Sequence, residues 1–142
     1  MESGFLHWGH DITPEENQYE AGLKFAISYK KNINFIGKEA LLKIKDINQT
    51  KRLVRLSLKE SKPGFPFLMH DEPIYLDEKI VGNTTSGNYS FNYKKNMSFG
   101  YIKTDLSNEE LTNKELFIEI AKQKYLAQIE LKPLKSKEAR FS

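Results

Sequence analysis

From Lys51 onward the sequence keeps switching sides. In KRLVRLSL, Val54, Leu56 and Leu58 occupy alternate positions with Arg55, Ser57 and Lys59 between them, and a two-residue period is the signature of a strand with one apolar face. The pattern then repeats along the chain. Ile74 and Leu76 precede an Asp77-Glu78 turn with Ile80 after it, an arrangement that reads as a hairpin. Tyr89, Phe91 and Tyr93 alternate again, and MSFGYI, ELFIEI and KYLAQIEL add three short strands, the last two joined at Ala121 to Gln123. KPGFPF, with two Pro and a Gly, interrupts any regular element and marks a loop. A series of short strands separated by turns restricts this part of the chain to a sandwich or a barrel.

The residues before Lys51 follow a different rule. Leu23, Phe25, Ile27 and Tyr29 alternate with Lys24, Ala26 and Ser28, which predicts a half-buried strand over 23–29. In FIGKEALLKIKDIN the period changes: Ile36, Ala40, Leu41 and Ile44 share one helical face, with Gly37 as the turn into a helix that starts near Lys38 and fades by Asn48. The division therefore falls between Asn48 and Lys51, with a mixed α/β piece over 1–48 and an all-β domain over 49–142. A chain of 142 residues fits one domain, or one domain with a piece of another.

Composition narrows the function classes. A hydrophobic fraction of 39% argues for a folded core, and the 22 basic and 19 acidic residues are interspersed, so the net charge of +3 singles out neither nucleic acid nor an anionic membrane as a partner. The absence of Cys removes disulfides, thiolate nucleophiles and cysteine zinc sites. No window reaches the roughly 20 apolar residues of a membrane span, and no charged leader precedes an apolar segment, so the sequence reads as cytoplasmic.

The densest group of functional side chains is HWGHD. His7 and His10 would converge on a metal only from a helix, and Gly9 between them argues for a turn; with His70 far away beside Asp71 and Glu72, a structural role outweighs a metal site. No Gly-x-Ser-x-Gly elbow is present. The sequence leaves open acid or base roles for Glu2, Asp11 or Glu20, because burial tunes carboxylates and burial is not legible here. GNTTSGNYS lacks the Lys of a phosphate loop, and its Gly82 and Gly87 instead permit a bulge or a tight turn. Tyr89, Phe91 and Tyr93 suit strand packing better than base stacking.

Three stretches taken in order, HWGHDITPEENQYEAGLKFAI, FIGKEALL and VGNTTSGNYSFNYKKNMSFGYI, resemble the C-terminal portion of the glycine-cleavage T-protein superfamily. HWGHDI followed by EAGL is most similar to its sarcosine and dimethylglycine dehydrogenase branch. The resemblance implies a small aminomethyltransferase-type β-barrel over 49–142, preceded by the strand and helix that end a tetrahydrofolate-binding domain over 1–48. In complete dehydrogenases of this branch, a flavin domain oxidises an N-methyl group and the folate domain captures the one-carbon unit as methylene-tetrahydrofolate. No Gly-x-Gly-x-x-Gly unit for FAD is present in this sequence.

The resemblance also bears on the first residues. Relatives carry a run like Leu-Arg-Met-Glu-x-Gly-Phe, so Met1 to Phe5 resembles the interior of a motif without its Arg, and the expectation is a fragment with an incomplete folate site. Glu2, Trp8, His10 and Asp11 match a motif near the folate cavity, none with an assigned catalytic role. Tyr19 stands where relatives commonly have Pro. The expected partners are the missing flavin and folate domains, on a separate chain, or further copies of this chain pairing through the exposed strand 23–29. The rival parent is an aminomethyltransferase, and the rival class is a non-catalytic assembly module.

Overall fold

A computed structural model describes residues 1–31 and 33–130. The expected strand end at Leu131 and the remainder of the expected domain to Ser142 lie outside the described residues. Six antiparallel strands form a closed barrel: β1 (Lys51–Leu58), β2 (Pro73–Leu76), β3 (Lys79–Ser90), β4 (Lys95–Lys103), β5 (Leu116–Ile120) and β6 (Gln123–Glu130). Around the barrel they run β1-β4-β3-β2-β5-β6, and β6 pairs back onto β1 with Leu56 opposite Ile129. Of the sandwich and the barrel, the chain adopts the barrel, which leaves no open sheet edge.

The tight connections follow from backbone chemistry. Asp77 and Glu78 both take positive φ (47° and 66°) between β2 and β3, and Ala121 and Lys122 do the same (50° and 66°) between β5 and β6. Two successive left-handed residues give the turn whose twist matches a two-residue hairpin. The barrel interior is filled by Leu56, Leu58, Ile74, Ile102, Leu116 and Ile118, all fully buried. A short helix, α2 (Asn108–Thr112), adds Leu111 to this cluster. Its start is fixed by a capping box: Ser107 Oγ accepts from the Glu110 amide, and the Glu110 carboxylate accepts from the Ser107 amide.

β3 runs unbroken through GNTTSG. The expected irregularity is a register shift between Thr84 and Ser86, and a second lies between Ile74 and Tyr75 of β2. Gly82 allows the backbone of β4 to come close: a Cβ there would lie 1.7 Å from the Tyr101 carbonyl oxygen. β3 ends at Ser90, so Phe91 and Tyr93 belong to the turn that Lys94 (φ 52°) completes, not to the alternating strand expected from their spacing. Ser90 Oγ accepts from the Tyr93 amide and closes that turn locally.

The described residues before Lys51 form a leader against the barrel. Helix α1 (Lys38–Ile44) begins at the expected residue, after Gly37 at φ 87°, but ends four residues before Asn48. Of its expected apolar face, Leu41 is buried while Ile36 and Ala40 are exposed. The strand expected over 23–29 does not form. Lys24–Ala26 is a turn of 3₁₀ helix in which the Ala26 amide reaches Leu23 O (2.9 Å) and the Ile27 amide reaches Lys24 O (3.2 Å). A strand needs a neighbour to satisfy its backbone, and among the described residues no strand pairs with this segment, so it bonds to itself instead. No helix among the described residues is long and apolar enough to cross a membrane.

Candidate functional site

HWGHD folds as a turn, as Gly9 predicts. Gly9 takes φ 91°, its amide reaches Ile12 O (2.8 Å), and the Asp11 amide reaches His7 O (2.8 Å). The turn delivers Asp11, 2% exposed, to the barrel wall. Its Oδ1 accepts from the Thr85 hydroxyl at 2.6 Å and the Ser86 hydroxyl at 2.8 Å, and its Oδ2 accepts from the His7 amide at 2.8 Å. The Tyr101 hydroxyl donates to the Asp11 carbonyl (2.9 Å). Burial, and then the nearby Glu16, Glu20 and Asp11, push the Tyr101 phenol well above its ordinary range, so it stays a donor at neutral pH.

Three further contacts fasten the leader. The Glu2 carboxylate accepts from the Ser90 hydroxyl and from Asn92 Nδ2, and the Ser90 hydrogen bond leads the effects that hold its pKa below the usual carboxylate value. Glu16 pairs with Lys51 Nζ at 2.6 Å. Burial pushes the Glu16 carboxyl up, but the bonds from Lys51 and Thr13 outweigh it and leave the pKa lowered. The Leu53 amide donates to Glu20 O (2.8 Å). Glu2 and Asp11 thus engage β3, while Glu16 and Glu20 engage β1.

The four residues that the resemblance sets near a folate cavity divide into two pairs. Glu2 and Asp11 have their carboxylates occupied by hydroxyls at different points of β3, joined by the Asn92 carboxamide in the turn after it for Glu2 and by the His7 amide of the leader for Asp11. Trp8 and His10 lie exposed at the surface, with His10 stacked on His7 at 4.6 Å between ring centroids and 6.3 Å from His70. The described residues contain no group of three or more His, Asp or Glu able to hold a metal. Sequence reasoning missed Thr85 and Ser86 as the partners of Asp11. The run containing them carries part of the family resemblance, but nothing in its spacing joins it to a residue more than 70 positions away.

A cleft of about 940 Å³ opens between leader and barrel, with Phe5, Leu23, Phe25 and Ile47 on one side and Arg55, Phe99 and Ile129 on the other. Phe5 and Phe25 are more than four-fifths exposed. Glu2 lines a separate, smaller cleft of about 440 Å³ with Ser90 and Met97.

Residues 51–135 match the glycine cleavage T-protein C-terminal barrel domain. The chain is 34% identical over 134 residues to mitochondrial dimethylglycine dehydrogenase from Homo sapiens, an alignment covering 94% of the chain and 15% of that protein. It is 38% identical over 104 residues to aminomethyltransferase from Listeria welshimeri, covering 73% of the chain and 28% of the relative. In structure it resembles the glycine cleavage system aminomethyltransferase T from Bartonella henselae, with a TM-score of 0.77 at 21% identity, over 93% of this chain and 36% of that one. The chain therefore spans about 15% of the length of the dehydrogenases it matches. On sequence and fold together, the chain belongs to the glycine cleavage T-protein C-terminal barrel family, whose members here include dimethylglycine and sarcosine dehydrogenases and aminomethyltransferases.

Proposed function

We propose that this chain supplies the barrel and adjoining leader of a sarcosine- or dimethylglycine-dehydrogenase-like enzyme that passes a one-carbon unit to tetrahydrofolate. The observation that carries this reading is the Asp11 clasp. HWGHD, the motif that points to the dehydrogenase branch, is locked to the Thr-Ser run of the barrel at Thr85 and Ser86. Leader and barrel are thereby held as one body, as a wall for a cavity requires.

The fit to tetrahydrofolate itself is poor within these residues. The carboxylates of Glu2 and Asp11 are held in place by Ser90, Asn92, Thr85, Ser86 and His7, which leaves a pterin only part of their acceptor capacity. No catalytic step is routed through folate here. In this reading the folate and flavin contacts come from other polypeptide, which also covers the exposed Phe5, Trp8, Phe25, Ile36 and Ile47 of the leader. Homo-oligomerisation through a 23–29 strand has no formed strand to use.

Calorimetric titration with tetrahydrofolate tests the incomplete site. The chain alone is expected to bind no tighter than about 1 mM, some 4 kcal/mol, and a micromolar dissociation constant would overturn the reading. The contribution to the enzyme is tested by complementation, adding this chain to a dimethylglycine dehydrogenase truncated before its own barrel. Recovery of tetrahydrofolate binding is expected, and no recovery from a complex that has formed counts against it.

A further inference from the structure

Arg55 is a buried cation that the described residues answer only in part: Glu130 and Tyr93 attract its charge through space, but two of its nitrogens lack acceptors. It lies on β1, 8% exposed, and its Nε and Nη1 have no hydrogen-bond partner among the described residues. The guanidinium sits over the Phe99 ring, 5.3 Å from its centroid. Register places Glu130 of β6 opposite Arg55, yet Glu130 Oε1 accepts from the Ser57 hydroxyl at 2.8 Å, and none of the ion pairs among the described residues includes Arg55. A guanidinium keeps its charge at neutral pH even where burial opposes it. Buried donors in folded proteins nearly always find acceptors, and among the described residues this pair has none.

The surroundings say what kind of acceptor fits. Arg55 lines the cleft of about 940 Å³, and the charged groups around that cleft are Lys24, Lys45, Arg52 and Arg55 against Glu20 and Glu130. Arg52 adds a second buried Nε without a partner among the described residues. Glu20 is turned to its own loop, where its carboxylate accepts from the Asn17 amide. The wall nearest Arg55 is apolar, with Phe99 and Ile129 beside it and Phe5 and Leu23 across the cleft, while Asn48, Gln49 and Asn108 add polar groups elsewhere. A concave cleft that sets a buried guanidinium beside apolar side chains has the elements of a small-molecule site.

We propose that the cleft between leader and barrel binds a small organic carboxylate, its anionic group on Arg55 and its apolar body against Phe99 and Ile129. The carboxylate supplies the acceptors that Arg55 lacks, as a charge-assisted pair in a partly desolvated setting. A bare inorganic anion satisfies the charge but leaves the apolar walls in water. The site uses neither Glu2 nor the HWGHD turn, though it shares Phe5, Phe25 and Ile47 with the surface that the folate reading assigns to other polypeptide.

The test titrates benzoate, benzamide and inorganic phosphate separately into the full chain at constant ionic strength, following assigned Arg55 Nε–H and backbone amide resonances. Benzoate is expected to bind with a dissociation constant on the order of 1 mM, shifting Arg55, Phe99 and Ile129, with benzamide and phosphate each weaker by about tenfold or more. R55M should abolish the benzoate shifts while its other barrel resonances persist. Should R55M fail to fold, the benzoate–benzamide difference and the Arg55 Nε–H shift in the natural chain decide the matter. Benzamide or phosphate binding as well as benzoate, benzoate shifts that spare Arg55, or unchanged benzoate binding in a folded R55M would each overturn the proposal.

Discussion

The carboxylate of Asp11 and the hydroxyl of Thr85 lie 2.6 Å apart across 74 residues of sequence, and this bond joins the leader to the barrel wall. Ser86 and the His7 amide complete the set of donors. D11A leaves three donors of part-buried hydrogen bonds without an acceptor, and a loss of about 3 kcal/mol is expected. D11N should cost less, because the amide oxygen still serves Thr85 and Ser86 while its NH₂ faces the His7 amide, donor against donor. Urea unfolding measures both, and a double-mutant cycle with T85V should return a coupling of about 1 kcal/mol or more. Full additivity would show the bond to be incidental.

Acid should loosen the leader before it unfolds the barrel. Glu2 and Glu16 both have folded-state pKa values below 4.5: in Glu2 the Ser90 bond leads, and in Glu16 burial is outweighed by the Lys51 and Thr13 bonds. A carboxyl whose pKa is lowered by folding contributes stability that is complete above its unfolded value and disappears as pH falls through the folded one. The contribution is therefore present at neutral pH and lost below pH 4.5. Trp8, the one tryptophan of the chain, reports on the leader. Its fluorescence anisotropy should fall on acidification in that window while far-ultraviolet dichroism of the barrel persists. E2Q and E16Q should each flatten the acid dependence of stability, and an unaltered dependence in both would contradict the assignment.

The barrel was legible in the sequence because its hairpins declare themselves locally. Ile74, Leu76 and Ile80 flank a two-residue turn, and so do the apolar runs around Ala121 and Lys122. The 23–29 segment misled for a physical reason. Alternation reports that one side of a segment is apolar, not that a neighbour exists to complete its hydrogen bonds, and Phe25 ends up exposed on a 3₁₀ turn. Alternation also assigns Arg55 and Ser57 to a solvent face, yet every residue from Val54 to Leu58 is buried. The neighbours responsible, the leader and Glu130, are distant in sequence. The HWGHD turn was readable from Gly9, whereas the partners of Asp11 were not, since a long-range hydroxyl–carboxylate bond leaves no period in the sequence.

Gly82 is a glycine because β4 leaves no room for anything larger. Its added Cβ would fall 1.7 Å from Tyr101 O and 2.8 Å from Tyr101 C, both backbone atoms that no rotamer change can move. G82A should therefore cost at least about 3 kcal/mol, visible as a large drop in unfolding midpoint or loss of the folded spectrum. G22A offers the contrast. Gly22 has φ 71° but open space around its Cβ position, so the left-handed backbone alone is penalised, by about 1 kcal/mol. Equal losses in the two variants would show that packing at the β3–β4 contact is looser than the geometry describes.

Arg52 braces the passage from β4 into α2. Its Nη1 donates to Asn108 Oδ1 (2.9 Å), and its Nη2 donates to Thr104 O (3.1 Å) and Leu106 O (2.5 Å), holding the loop that carries Leu111 into the core. R52M keeps an unbranched apolar stem but leaves both carbonyls and the Asn108 side chain without this donor. A loss of about 2 kcal/mol is expected, concentrated in the loop and helix and not in the β5–β6 hairpin. Hydrogen exchange locates the effect: the Leu111 and Asn113 amides, which bond to Ser107 O and Glu110 O, should lose protection while the amides of Ile118 and Ala127 keep theirs. R52K should recover only part of the loss, since a single ammonium cannot span three acceptors as a planar guanidinium does. Uniform loss of protection across the barrel would mean that Arg52 supports β1 itself and not the loop.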